Sequence, residues 1–138
     1  MNKKQKRVDE INELIKLISD IGRRFFYSEK HDRIARFEIQ KSGRIAFYDD
    51  YSGKKVNIYL KHREWPGFTH GGTLKNLVGN MSEYIRFGHK IDVRFLAPFG
   101  WSSERDIWGY GKDASDQLKR KAVNLNCVYD GRNKNEPD

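Results

Sequence analysis

The spacing of hydrophobic positions changes along the chain, and the changes mark its elements. Over residues 8–27, Val8, Ile11, Leu14, Ile15, Ile18, Ile21 and Phe25 recur at steps of three and four, which places them on one helix face. Asp9, Glu10 and Glu13 fall in the first turns of this predicted helix and Arg23 and Arg24 in the last, an order that complements the helix dipole. From 33 to 61 the period drops to two. Ala35, Phe37 and Ile39, then Ile45 and Phe47, then Val56, Ile58 and Leu60 alternate with other residues, and Lys41-Ser42-Gly43 and Asp49-Asp50-Tyr51-Ser52-Gly53 supply turns. This pattern predicts a three-stranded antiparallel meander with one apolar face. The opposite face carries Arg36, Glu38, Tyr48, Asn57, Tyr59 and Lys61, whose tyrosines either serve packing or stack on bases.

Regular structure breaks between 62 and 72, where Pro66 excludes a central strand and Gly67, Gly71 and Gly72 signal turns. Helical spacing then returns through Leu74, Leu77, Val78, Met81, Tyr84 and Ile85, with Thr73 or Thr69 as N-cap and Gly88 as C-cap. Gly79 inside this helix suggests close packing on the sheet. Ile91, Val93 and Phe95 predict a fourth strand. An aromatic loop follows from Ala97 to Gly111. Asp113 then opens a last helix over 114–125 that turns Leu118, Ala122 and Leu125 inward. The expected fold class is α+β in the order α-β-β-β-α-β-α. The expected organisation is one domain over 8–130, flanked by a basic flexible tail at 1–7 and a disordered polar tail at 131–138.

Charge narrows the choice of function. Lys and Arg number 27 against 19 Asp and Glu, a net charge of +8, and such an excess favours polyanionic partners. The candidate nucleic-acid contacts are Lys3, Lys4, Lys6 and Arg7 in the tail, Arg23 and Arg24, Lys75, and the run Lys119, Arg120 and Lys121. His70, Gly71 and Gly72 join them, because a glycine-rich turn opening a helix exposes backbone N–H groups to an anion. Trp101, Trp108 and Tyr110 are the candidate anchors for a protein partner, with core packing as their alternative role. Cys127 is the single cysteine, which excludes an intrachain disulfide and fits a reducing compartment. The four histidines show no metal-ligand spacing, so neither a metal nor another cofactor is expected. No apolar run reaches a membrane span, and the charged N-terminus has no signal-peptide core. No Asp, Ser or Cys stands at a telling spacing from His70, which makes a catalytic role the weakest reading and a non-enzymatic protein the expected one.

The order of the first five elements resembles the double-stranded-RNA-binding domain, and the β-β-β-α portion resembles the arm-binding domains of phage integrases. The first of these families clamps phosphates with a lysine-rich helix start, where this chain has Gly71-Gly72-Thr73-Leu74-Lys75-Asn76 with one lysine. Trp65-Pro66-Gly67-Phe68-Thr69-His70-Gly71-Gly72-Thr73-Leu74 and Asp106-Ile107-Trp108-Gly109-Tyr110 resemble stretches of small uncharacterised phage and prophage accessory proteins. That resemblance implies an accessory protein acting in the bacterial host cytoplasm. Three functions follow from it and from the charge. The first is a non-enzymatic inhibitor of a bacterial defence nucleoprotein, such as an anti-CRISPR protein, that binds the effector and its nucleic acid. The second is a direct DNA- or RNA-binding protein. The third is a small nuclease using His70 with an unidentified carboxylate.

Overall fold

The computed structural model describes residues 2–60, 63–97, 100–106 and 108–131. Met1, Lys61, His62, Pro98, Phe99, Ile107 and residues 132–138 of the expected polar tail at 131–138 lie outside the described residues. The fold is α+β.

The first helix, α1 (Lys3–Asp20), begins well before the apolar pattern does. Asn2 is its N-cap, and the Asn2 side chain accepts from the Lys4 N–H at 2.8 Å. The basic run is therefore a helical turn rather than a loose tail. Hydrophobic periodicity could not reveal that turn, because only from Val8 onward does the helix bury side chains. At its other end α1 stops at Asp20, short of the expected 27. Ile21 is extended, and Gly22, Arg24 and Phe26 take φ values of 62°, 55° and 69°. Only glycine fits at 22, where a Cβ would stand 2.2 Å from the Tyr110 ring. These new ends correct the dipole expectation, since α1 has no acidic residue in its first turn and no basic residue in its last.

A short hairpin, β1 (Tyr27–Ser28) with β2 (Arg33–Ile34), leads into the meander of β3 (Arg36–Ile39), β4 (Ile45–Tyr48) and β5 (Lys55–Val56). Its register sets Phe37 opposite Phe47, Ile39 opposite Ile45 and Phe47 opposite Val56, which gathers the apolar side chains on one face. The third strand is shorter than its alternation suggested, because the Asn57 side chain accepts from the Tyr59 N–H and turns the chain. Helix α1 lies on this sheet. Asn12 acts as a surrogate strand partner, donating to the Phe37 carbonyl at 3.1 Å and accepting from the Phe37 N–H at 2.8 Å.

Helix α2 (Gly72–Phe87) buries the six apolar positions read from the sequence. Gly71 is its N-cap and supplies no side-chain bond, so neither Thr73 nor Thr69 caps it. Gly88 ends the helix at φ 82°, as expected, and its N–H reaches the Tyr84 carbonyl at 2.8 Å. A Cβ on Gly79 would meet nothing within 4 Å, so that glycine does not mark close packing.

The expected fourth strand is reduced to β6 (Ile91–Asp92), and it pairs in parallel with β7 (Val128–Tyr129), apart from the meander. The Asp92 side chain accepts from the Arg94 N–H and starts a 3-10 turn over Val93–Phe95, which cuts the strand short. Helix α3 (Lys112–Ala122) has Gly111 as N-cap and Asp113 inside its first turn. The core gathers around α1, which packs against β3, α2 and α3. Cys127 is buried in that core; burial and the nearby Glu10 charge push its thiol up to about 12, so it stays protonated.

Candidate nucleic-acid interface

The N-terminal end of α1, the turn before β4 and the C-terminal end of α2 meet around a cleft of about 530 Å³. Lys3, Lys4, Arg7, Arg44 and Arg86 line it, together with Tyr59 and Phe87, and no acidic residue does. Four of these cations, Lys4, Arg7, Arg44 and Arg86, are placed by specific contacts. Lys4 Nζ donates to the Gly43 carbonyl. Arg7 donates to the Ile85 carbonyl at 3.4 Å and lies against Gly88, where a Cβ would come within 2.7 Å of its guanidinium. The Arg44 guanidinium lies 3.9 Å from the Tyr59 ring centroid, and that of Arg86 lies 4.8 Å from it. Among the described residues none of the five cations forms an ion pair with a carboxylate.

The lysines at the start of α1 are placed unfavourably for the free protein, whereas Arg86 lies in the last turn of α2, where the helix dipole favours a cation. The first turn of α1 carries Lys3, Lys4 and Lys6 at the positive end of the helix dipole, where cations cost a few tenths of a kcal/mol each. An anion in the cleft reverses that penalty and screens the mutual repulsion. An adjoining cleft of about 310 Å³ shares Lys3 and Arg7 and adds Lys6 and Lys90. It also contains Glu10, which accepts from the Tyr84 hydroxyl; burial and this carboxylate raise the Tyr84 pKa.

The remaining residues nominated from the sequence lie elsewhere. Arg23, Phe25, Gly71, Gly72 and Trp108 border one pocket of about 210 Å³ at the start of α2. Trp108 is 5% exposed and packs edge-on against Phe25 at 5.5 Å. Tyr110 is half-buried beside both rings, and burial raises its hydroxyl pKa. Trp101 is half-buried on the same loop. Arg24 donates to the Ser19 carbonyl and covers the Tyr27 ring. Lys75 donates to the Arg63 carbonyl and sits over Trp65. Lys119 is half-buried near Asp116, while Arg120 and Lys121 are exposed. The two ends of α2, its 16 residues apart, are separated by about 24 Å. The start-of-helix pocket and the basic cleft are thus distinct.

His70 has a partner that sequence spacing did not reveal. Its Nε2 lies 2.5 Å from the Asp50 carboxylate, and the His70 ring packs against Phe26 and Phe68. Asp49, Asp50 and His70 bring potential ligand atoms within 4.8 Å of one another. Asp49, however, already accepts from the Tyr51 and Ser52 N–H groups, the Thr69 N–H and the Thr69 hydroxyl, all at 2.8–2.9 Å. Burial alone would raise the Asp49 pKa, but these bonds outweigh it and hold the carboxyl below its usual value. The cluster ties the turn after β4 to the loop before α2. Asp49-Asp50 read as turn residues in the sequence, and their distance from His70 along the chain hid the pairing.

Sequence spacing likewise hid Arg44 and Phe87 as partners of the N-terminal cations, since only the folded chain brings them to the same cleft. Lys3, Lys4 and Arg7 are the nominated residues that it brings together there.

Comparison with known proteins agrees with the phage-related resemblance at the level of family. The chain is 34% identical over 124 residues to the SPbeta prophage-derived uncharacterized protein YoqU of Bacillus subtilis (strain 168), covering 89% of this chain and 83% of that protein. No solved structure matches it. Among the described residues, no helix is long and apolar enough to cross a membrane. The YoqU family model matches residues 2–132, and the chain belongs to the YoqU family.

Proposed function

We propose that this chain is a non-enzymatic prophage accessory protein that binds nucleic-acid phosphates in the cleft between the start of α1, Arg44 and the end of α2. The family's prophage-derived member supports the accessory setting. The observation that carries the reading is a cleft lined by five cations and no carboxylate, where the N-terminal end of α1 meets the C-terminal end of α2. Guanidinium and ammonium groups left without protein counter-ions are ready donors to phosphate oxygens. A non-enzymatic role fits the Asp49–Asp50–His70 cluster, because the Asp49 oxygens serve the turn and Asp50 serves His70.

The test is reversal of charge at exposed residues. Arg44→Glu with Arg86→Glu is expected to weaken binding to labelled DNA and RNA oligonucleotides about 100-fold at low salt, with little dependence on base sequence. Fluorescence anisotropy reads the loss, and unchanged affinity in a folded double variant contradicts the proposal.

The same cleft serves a second reading, in which the chain inhibits a bacterial defence nucleoprotein, as an anti-CRISPR protein does, by contacting its nucleic acid. Trp101 is the favoured protein contact in that case, since it is half-buried while Trp108 is enclosed by the core. Capture of such an effector that survives nuclease treatment, and is lost in Trp101→Ala, separates this reading from direct nucleic-acid binding.

A further inference from the structure

Resting on the phosphate-binding reading above, we infer that the cleft takes single-stranded nucleic acid, with an unpaired base stacked on Phe87. Guanidinium and ring alternate along one wall. Arg44 lies 3.9 Å from the Tyr59 centroid, Arg86 lies 4.8 Å from the centroids of both Tyr59 and Phe87, and the Phe87 and His89 rings are 5.7 Å apart. The members of this ladder differ in freedom. Tyr59 is half-buried under two guanidinium groups, and its hydroxyl accepts from the Ile45 N–H at 3.2 Å. It holds the arginines and offers no open platform. Phe87, although Arg86 and the His89 ring approach it, is still 56% exposed, the most exposed large apolar residue among the described residues.

The fold fixes the backbone position of Phe87. It is the last residue of α2, directly before the Gly88 cap that bonds back to Tyr84. A phenyl ring held in water beside unpaired cations contributes nothing to a duplex, which presents its phosphates and keeps its bases stacked inside. A single strand presents both groups at once. Its phosphates meet Lys3, Lys4, Arg7 and Arg44, and a base covers the ring. Glu83 stands 3.7 Å from His89 Nδ1 at the far end of the ladder, so the cationic stretch ends there and favours strand entry from the Arg44 side. Stacking accepts any base, so the expected sequence preference is weak. Single-stranded DNA and RNA share this chemistry and are distinguished by parallel measurements.

The experiment measures affinity for a labelled single-stranded DNA, its RNA counterpart and the corresponding duplex, at low salt. The wild-type protein is expected to bind the single strands at least about tenfold more tightly than the duplex. Phe87→Ala and Phe87→Leu are expected to lower single-strand affinity about tenfold and duplex affinity by much less, which narrows the preference, while Phe87→Trp preserves it. Because Phe87 is exposed, all three variants are expected to keep the wild-type circular dichroism. Equal affinity for strand and duplex, or indifference to Phe87→Ala while Arg44→Glu with Arg86→Glu still weakens binding, overturns this inference and leaves the phosphate cleft standing. Binding to none of the probes overturns both.

Discussion

Both oxygens of the Asp49 carboxylate are engaged by the fold itself. The residue is 0% exposed and holds four donors from the turn after β4 and from Thr69. Its pKa is lowered from an ordinary value of 3.8, so the ionised form is favoured by folding. The resulting stabilisation is fully present above that ordinary value and is lost as the pH falls through the lower folded-state pKa. Stability is therefore expected to decline below about pH 4 in the wild type, and Asp49→Ala is expected to remove that part of the decline. The same substitution is expected to cost about 2–4 kcal/mol at neutral pH, because it leaves four donors without an acceptor. Urea denaturation across pH checks both; a loss under about 0.5 kcal/mol would show the turn to be held by other contacts. The sequence announced a turn at Asp49-Asp50-Tyr51-Ser52-Gly53, yet it did not announce the reach to Thr69 and His70. Turn chemistry is local, whereas those bonds depend on how the loop before α2 returns over β4.

Elements with a buried face were legible because their apolar spacing is a direct consequence of that burial. The interior residues of α1 and α2 fall where the three- and four-residue steps put them, and the meander follows the two-residue alternation. Exposed turns and short pairings carry no such record. The first turn of α1 is held by Asn2 and buries nothing, β1 and β2 pair over two residues each, and β6 finds its parallel partner in the distant Val128–Tyr129. Gly79 illustrates the same limit from within a helix. The expectation of close packing fails because the space beside it is open. Gly79→Ala is accordingly expected to stabilise the protein by about 0.5–1 kcal/mol, through higher helix propensity and a less flexible unfolded chain. Thermal denaturation measures this. A destabilised variant would mean that a neighbour approaches the position more closely than the structure places it.

Across the whole molecule, net charge pointed to polyanions, but composition says nothing about where cations converge. Lys3, Lys4 and Arg7 were visible as a basic run, and the fold adds Arg44 and Arg86 from elements far along the chain. Other nominated cations are dispersed among ring contacts, carbonyls and α3, because each also serves its own element. The functional claim therefore concerns one end of the molecule. Salt titration of binding tests it most directly. If the five cleft cations meet phosphates, the logarithm of affinity for single-stranded DNA is expected to fall with the logarithm of salt concentration at a slope of about −3. The slope is expected to become shallower by more than about one when Arg44 and Arg86 are both reversed. A slope near zero, or one unaffected by those substitutions, would contradict phosphate binding in this cleft.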